Sequence, residues 1–356
     1  MVFYNFGWKV FIVRTLSITR PDDWHVHFRD GEALEHTVAA TAKHFARALV
    51  MPNLTPALTS LDSLIAYQQR IMNTLGEHQH FTPYLTFYLN EAVNPDHLQQ
   101  AKNYPYILGA KLYPAGVTTN SEQGARSISA LYPLLEIMQA HNLVLQIHGE
   151  VMHGDIFARE ALFIAEFLGK LINDFPTLRI VLEHISTQTA VDFVMQAPAT
   201  VAATITPHHL LFNRNHLLAG GIKPHYYCLP VLKHERDQHA VQQAAVSGNF
   251  KFFAGTDSAP HAQARKESAC GCAGIYSAPY ALAMYAQVFA NLGQLDKLDA
   301  FMGHFGANFY QMPANKETLE LIEQPQIIPY TLPFGHDQVV PVAAGDTLQW
   351  SVHESA

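Results

Sequence analysis

The chain has 356 residues, 49% of them hydrophobic and 15% charged. That balance excludes disorder for most of its length, because a disordered chain combines low hydrophobicity with high net charge. Lys and Arg total 22 against 30 Asp and Glu, and with no basic block to neutralise phosphates, nucleic-acid binding is disfavoured.

Residues 1–13 are apolar and aromatic, but Lys9 interrupts them and no small-residue cleavage pattern follows before Pro21-Asp22-Asp23. An edge strand or a short appended N-terminal arm is therefore expected rather than a signal peptide. No uncharged apolar stretch reaches the roughly 18 residues that a membrane span needs.

Short apolar runs then recur at 24–28, 47–51, 83–89, 107–112, 143–147, 179–182, 201–205 and 251–254. Near-continuous hydrophobic runs of this length suit parallel strands buried on both faces. Most are separated by enough chain for a helix. One such helix is expected to open at a capping box of Thr59 and Asp62. Its apolar stripe, Leu61, Leu64, Ile65, Ile71, Met72 and Leu75, is broken once by Gln68. Strand and helix alternating about eight times predict an α/β protein, a (β/α)8 TIM-type barrel with its core at about 20–310. An open doubly wound sheet also fits the periodicity. Beyond about residue 311 the sequence turns Pro-rich and irregular up to Pro341. This reads as a C-terminal extension wrapping the barrel, so that residues 1–356 form one domain. No Gly-x-Gly-x-x-Gly or Walker loop follows any run, leaving no nucleotide-phosphate cradle.

Cysteine use is sparse: Cys228, Cys270 and Cys272. An odd set in a large chain suits reduced thiols in the cytoplasm. Cys270 and Cys272 could be half of a zinc site, but no second thiol pair completes a four-cysteine set.

The 21 histidines nearly equal the cationic residues in number, and imidazole is the commonest metal ligand among side chains. His25 and His27 lie in Asp23-Trp24-His25-Val26-His27-Phe28-Arg29-Asp30-Gly31. Residues i and i+2 of a strand share a face, so the two rings either start a metal site or are two hydrogen-bonded core histidines. His148 and His184 close the fifth and sixth runs, and Asp257 follows the eighth. A barrel brings these ends to one mouth. Lys111 sits inside the apolar fourth run, where a buried ammonium is costly without a partner. Burial frees the amine, which can capture CO2 as an anionic carbamate able to bridge two cations. The alternative is a lysine that reaches the strand end or pairs with an acid.

These segments, together with Met51-Pro52-Asn53, Ala110-Lys111-Leu112-Tyr113-Pro114, His148-Gly149-Glu150, Glu183-His184-Ile185 and Gly255-Thr256-Asp257-Ser258-Ala259-Pro260-His261, resemble the amidohydrolase superfamily. More narrowly they resemble its bacterial class II dihydroorotases, in the same order from about Arg20 to near Ser351. The resemblance implies a barrel with two zinc ions, His25, His27 and Asp257 on the first, His148 and His184 on the second, and a carbamylated Lys111 bridging both. It implies substrate contacts from Arg29, Asn53, His261, the backbone around Leu229, and Ala273, with His27 and His148 also facing substrate. Asp257 is the expected catalytic residue. Arg29 offers a planar fork to a carboxylate, or else pairs with Asp30.

The implied reaction is the reversible cyclisation of N-carbamoyl-L-aspartate to L-dihydroorotate and water in pyrimidine biosynthesis, by a cytoplasmic homodimer with no nucleic-acid or membrane partner. The loop after Lys111 is small and polar. By resemblance Thr118 and Thr119 close over substrate, although the residues alone favour an ordinary surface turn. Two departures stand out. The chain extends further ahead of His25 than the family pattern, and Val26 and Phe28 replace expected leucines at positions that should face away from the lumen. Rival readings are a dihydropyrimidinase or allantoinase, a non-catalytic barrel scaffold and a mononuclear deaminase. The early His25, Arg29, the full ligand set and Lys111 respectively argue against them.

Overall fold

The structure is a computed structural model that describes residues 2–6, 9–78 and 80–353, those up to residue 12 by backbone alone. Eight parallel strands run Asp22–Val26, Arg47–Val50, Thr82–Leu89, Ile107–Leu112, Val144–Ile147, Ile180–Leu182, Val201–Ile205 and Phe252–Ala254. Each is hydrogen-bonded to the next in chain order. That sequential order is the barrel, since a doubly wound sheet reverses direction partway. The ring closes where the Asp257 amide donates to the His25 carbonyl at 2.8 Å and the His27 amide to the Ser258 carbonyl at 3.0 Å. All eight expected runs overlap a strand.

Along the second strand Leu49 packs with the barrel interior, while Ala48 and Val50 pack against the surrounding helices. Two strands break this period-two alternation. The first has a register shift between Asp23 and Val26, so Trp24 and His25 both face inward while Val26 faces out. The fourth has a shift where Leu85 pairs with Ile107 and Thr86 with Gly109. There Leu108 packs with the interior, and the shifted phase brings Lys111 in as well. Bulges re-aim side chains in this way. Gly109 is required at the second: a Cβ there would lie 1.8 Å from the Val144 carbonyl oxygen.

The bottom of the barrel is filled by Trp24, Val144, Val181, Phe253, Phe309 and Tyr310, with the Trp24 and Tyr310 rings stacked at 4.4 Å. This apolar plug leaves the opposite, C-terminal mouth for polar groups.

The helix after the second strand runs Leu61–Asn73, one residue off the expected start. Its capping box is Ser60 with Ser63, not Thr59 with Asp62, because Ser60 is the residue with extended backbone whose hydroxyl accepts from the Ser63 amide. Tyr67 is buried where the stripe met Gln68, and its hydroxyl donates to the Arg29 carbonyl at 2.5 Å.

The arm is a hairpin, Val2–Phe6 with Lys9–Val13, followed by a strand, Thr15–Thr19, that pairs with Thr318–Ile322. The latter also pairs with Ser351–Val352, so the arm and the extension share a sheet. The segment after residue 311 is therefore less irregular than its prolines suggest. Gln326–Ile327 and Leu332–Phe334 are further short strands. Pro325 and Pro329 fall between strands, and Pro333 lies in a two-stranded ribbon where a missing N–H is tolerated. Among the described residues, no helix is long and apolar enough to cross a membrane.

Candidate active site

The first strand ends at Val26, so His27 and Arg29 lie on the turn beyond it. This corrects the expectation that His25, His27 and Arg29 share one strand face. His25 faces in because of the bulge, and His27 reaches the same place from the strand end. Val26 and Phe28 do pack outward, as expected. Arg29, His184 and Asp257 have φ of 63°, 43° and 43°, a left-handed conformation that costs non-glycine residues about 1–3 kcal/mol and clusters at functional sites. Gly255, just before the last of these turns, lets the first and eighth strands meet, since a Cβ there would lie 2.9 Å from the His25 and Thr204 side chains.

His25, His27 and Asp257 converge, with one donor atom from each within 4.8 Å of the others. The Nε2 atoms of His27 and His25 lie 3.1 and 3.4 Å from Asp257 Oδ1. Each ring is held from behind. His25 Nδ1 is 2.8 Å from Glu183 Oε2, and His27 Nδ1 is 2.8 Å from Asn53 Oδ1. Both rings therefore donate Nδ1–H outward and present Nε2 to the centre, the arrangement that orients metal-binding histidines. His148 does the reverse, its Nε2 lying 2.9 Å from Glu150 Oε2. The His148 and His184 rings are 4.7 Å apart, and the His25 and His184 rings 5.1 Å.

Lys111 is fully buried and among the described residues its Nζ has no hydrogen-bond partner; the same holds for His184 Nδ1. Burial pulls the Lys111 ammonium down to about 8, against the opposing pull of Glu183 and Asp257. Burial also lowers His25, and lowers His27 and His184 well below the usual imidazole range. It raises Asp257. Neutral imidazoles, carboxylates and an unpartnered amine around one point are a donor set for cations, and Lys111 Nζ and His184 Nδ1 are buried orphan atoms that a metal centre would engage.

The cavity over this centre is lined by His25, His27, Arg29, Asn53, Thr118, Thr119, His148, His184, Leu229, Asp257 and Ala273, together with Tyr113, Ala259 and Gly274. It encloses only about 20 Å³, room for about one water. The loop after Lys111 forms its roof: Thr119 Oγ1 donates to the Ala273 carbonyl at 3.0 Å, and Asn53 Nδ2 to the Thr119 carbonyl at 3.1 Å. Arg29 Nη2 lies 3.0 Å from His261 Nε2, and Arg29 Nε donates to the Pro260 carbonyl. Asp30 pairs instead with Arg70, at 2.7 Å, which rules out the Arg29–Asp30 pair. His261 Nε2 also lies 3.1 Å from the carbonyl of Ala273, a residue of the cavity wall. Cys270 is exposed and Cys272 partly buried, and neither belongs to a metal-like cluster among the described residues.

Sequence reasoning gave no role to three buried carboxylates. Glu183 and Glu150 hold histidines. Asp23 accepts from the Thr256 amide at 2.8 Å and hydroxyl at 2.6 Å, tying the first strand to the eighth. Each sits one or two residues from a candidate histidine, a signal that was visible. Glu183→Gln should keep the fold but weaken metal retention about 10- to 100-fold, as loss of a ligand-orienting carboxylate typically does. Dialysis against a chelator with metal counting measures it.

Comparison with known proteins agrees with this geometry. Residues 18–337 match the model of the amidohydrolase family, and the chain belongs to that family. A dihydroorotase of Coxiella burnetii is 53% identical over 96% of this chain and 98% of its own. One from Nitrosococcus oceani is 52% identical over 96% and 100%. A crystal structure of the Saccharomyces cerevisiae dihydroorotase with 5-fluoroorotic acid superposes with a TM-score of 0.88 at 37% identity, over 96% of this chain and 99% of that one. Within the amidohydrolases, then, the chain is a member of the dihydroorotases, enzymes that hydrolyse a cyclic amide.

Proposed function

We propose that this chain interconverts N-carbamoyl-L-aspartate and L-dihydroorotate, with His25, His27 and Asp257 holding one zinc ion, His148 and His184 a second, and Lys111 joining them as its CO2-derived carbamate. The observation that carries the reading is the buried, unpartnered Lys111 amine among those ligands. A neutral amine adds to CO2 with loss of one proton, and the resulting carbamate has two oxygens to share and a negative charge that offsets the cations. When bound, the zinc pair supplies a Lewis acid for the ring amide and lowers the pKa of water to about 7.

The chain's own groups do the rest. In ring opening Asp257 takes a proton from the attacking water and delivers it to the departing ring nitrogen; in ring closure it runs in reverse. Arg29, held by Pro260 and His261, offers its fork to the substrate α-carboxylate, which fixes the ring and its handedness. Asn53 orients His27 and meets the same carboxylate, while the backbone at Leu229 and Ala273 receives the ring amide edge. His27 and His148 complete the wall.

Thr118 and Thr119 act as a lid. A cavity of about 20 Å³ is too small for a substrate of this size, so the roof must lift and close again. Changing both to Ala should leave metal content unchanged and lower kcat roughly tenfold, about 1.4 kcal/mol of closed-state hydrogen bonding. Steady-state kinetics with metal counting check this, and an unchanged kcat removes the lid role.

We read residues 1–356 as one domain working as a cytoplasmic homodimer, an extension of the family resemblance. The direct test is ring closure of N-carbamoyl-L-aspartate by purified protein, with metal counted on the same sample. Metal-replete protein that forms no dihydroorotate overturns the assignment.

A further inference from the structure

We propose that His208, His209 and Cys228 form a second cation site, separate from the catalytic centre, that takes one zinc-like divalent ion and anchors the loop carrying Leu229. One donor atom from each lies within 4.8 Å of the other two. Relative exposures are 0%, 3% and 1%, so water does not serve these groups from the surface. Both ring nitrogens of His208 are buried without a hydrogen-bond partner among the described residues. A neutral imidazole always carries one N–H and one lone pair, and leaving both unmet in the interior is unfavourable. The ring is aimed into the cluster, its centroid 4.7 Å from that of His209.

The remaining contacts suit metal loading. His209 Nδ1 lies 2.8 Å from Thr206 Oγ1, and its Nε2 lies 3.0 Å from the Pro230 carbonyl. The Cys228 thiol donates to that same carbonyl at 3.3 Å. One oxygen therefore receives two protons, both from atoms that would become ligands. Binding M2+ releases the thiol proton as the Sγ–M bond forms. His209 shifts its remaining N–H to Nδ1, which then donates to Thr206 Oγ1, and Nε2 is free to coordinate. The Pro230 carbonyl, relieved of both donors, is an oxygen for a fourth position. Two imidazoles, a thiolate and one oxygen suit zinc and not magnesium or calcium, which prefer all-oxygen shells. The thiolate offsets one of the two charges. Burial, and next Asp257, push the Cys228 thiol up; Lys266 and Lys233, whose ammoniums rest on backbone carbonyls, oppose this only in part, so loss of the thiol proton comes with the Sγ–M bond itself.

The position gives the ion a purpose. His208 and His209 lie on the helical turn Pro207–Leu211 directly after the seventh barrel strand. Cys228 immediately precedes Leu229 and Pro230, and Leu229 lines the catalytic cavity. A shared ion would pin this loop to the barrel rim and hold its backbone in place for substrate.

Cobalt distinguishes the two centres, because the catalytic ligands include no sulfur. A Cys270→Ser/Cys272→Ser parent is expressed in cobalt medium, so that buried sites load during folding, and its absorption spectrum is recorded with metal counting. The expected result is a near-ultraviolet thiolate-to-cobalt band at one site per chain. It should disappear in Cys228→Ser and His208→Gln while the visible bands of the catalytic cobalt persist, with total cobalt falling by one equivalent. If neither variant folds, the parent decides alone: a sulfur-to-cobalt band upholds the site. Its absence in fully loaded parent overturns the proposal and leaves His208 to a buried water. Loss of the visible bands would count against the catalytic assignment instead, so the two readings fail separately.

Discussion

Lys111→Ala should lower kcat/KM by about 10³-fold or more, about 4 kcal/mol of transition-state stabilisation, and should lose metal at the same time. The side chain stands on the fourth strand with no exposure and no hydrogen-bond partner for its amine, so it does nothing structural that alanine must replace. Its removal leaves a space within electrostatic reach of His25, His27 and His184, and a short carboxylate such as acetate should partly restore activity by supplying the missing bridging oxygens. Lys111→Met extends the argument. It fills the space without a polar atom, so acetate should not rescue it, and metal-free Lys111→Met should be at least as heat-stable as the metal-free parent, because an unmet buried amine costs about 1–3 kcal/mol. The titration gives a further check on metal-free, CO2-depleted protein. Burial pulls this lysine down to about 8, and only the neutral amine adds CO2. With dissolved CO2 held constant, reactivation in the presence of zinc should therefore speed up as pH rises toward about 8 and level off above it. Full activity in Lys111→Ala without added carboxylate would remove the bridge from the mechanism.

Much of this site could be read before any coordinates because barrel topology does the convergence. Once eight apolar runs are accepted as sequential parallel strands, residues at their C-terminal ends must meet. His25, His148, His184 and Asp257 needed only that rule. Lys111 needed one more, that a charge in an apolar strand implies a purpose. The strand and helix boundaries were close because near-continuous hydrophobic runs end abruptly at turn residues. The Ser60 cap was missed by one position since Thr59 and Ser60 are both competent caps, and backbone conformation chooses between them.

What stayed hidden depends on contacts between distant parts of the chain. The two bulges that turn His25 and Lys111 inward are register shifts against neighbouring strands, which period-two reasoning within one strand does not contain. The pairing of Glu183 with His25 spans the barrel. Of the short strands after residue 311, Thr318–Ile322 takes the edge that the arm offers at Thr15–Thr19 and the others pair within the extension, and a Pro-rich composition does not reveal these partners. No sequence pattern singled out His208; its burial and the approach of Cys228 appear only in the folded chain.

Asp257→Asn separates metal binding from proton transfer. The substituted side chain keeps an amide oxygen in the place where Asp257 Oδ1 now meets His25 and His27, and the backbone amide that closes the barrel on the His25 carbonyl is untouched. The fold and a substantial part of the metal should therefore survive, as should substrate binding through Arg29. What asparagine lacks is a basic oxygen. It can neither accept the proton of the attacking water nor return it to the ring nitrogen, so kcat should fall by about 10²- to 10⁴-fold, the usual contribution of a positioned acid–base group. KM should change far less. The loss should be equal in both directions, because microscopic reversibility makes the same group the proton carrier for ring opening and closure. Metal counting, KM and kcat in each direction on one preparation decide it. Near-parental kcat with metal retained would move the proton-transfer role to another group, whereas metal loss in step with activity would make Asp257 a ligand first and a base second.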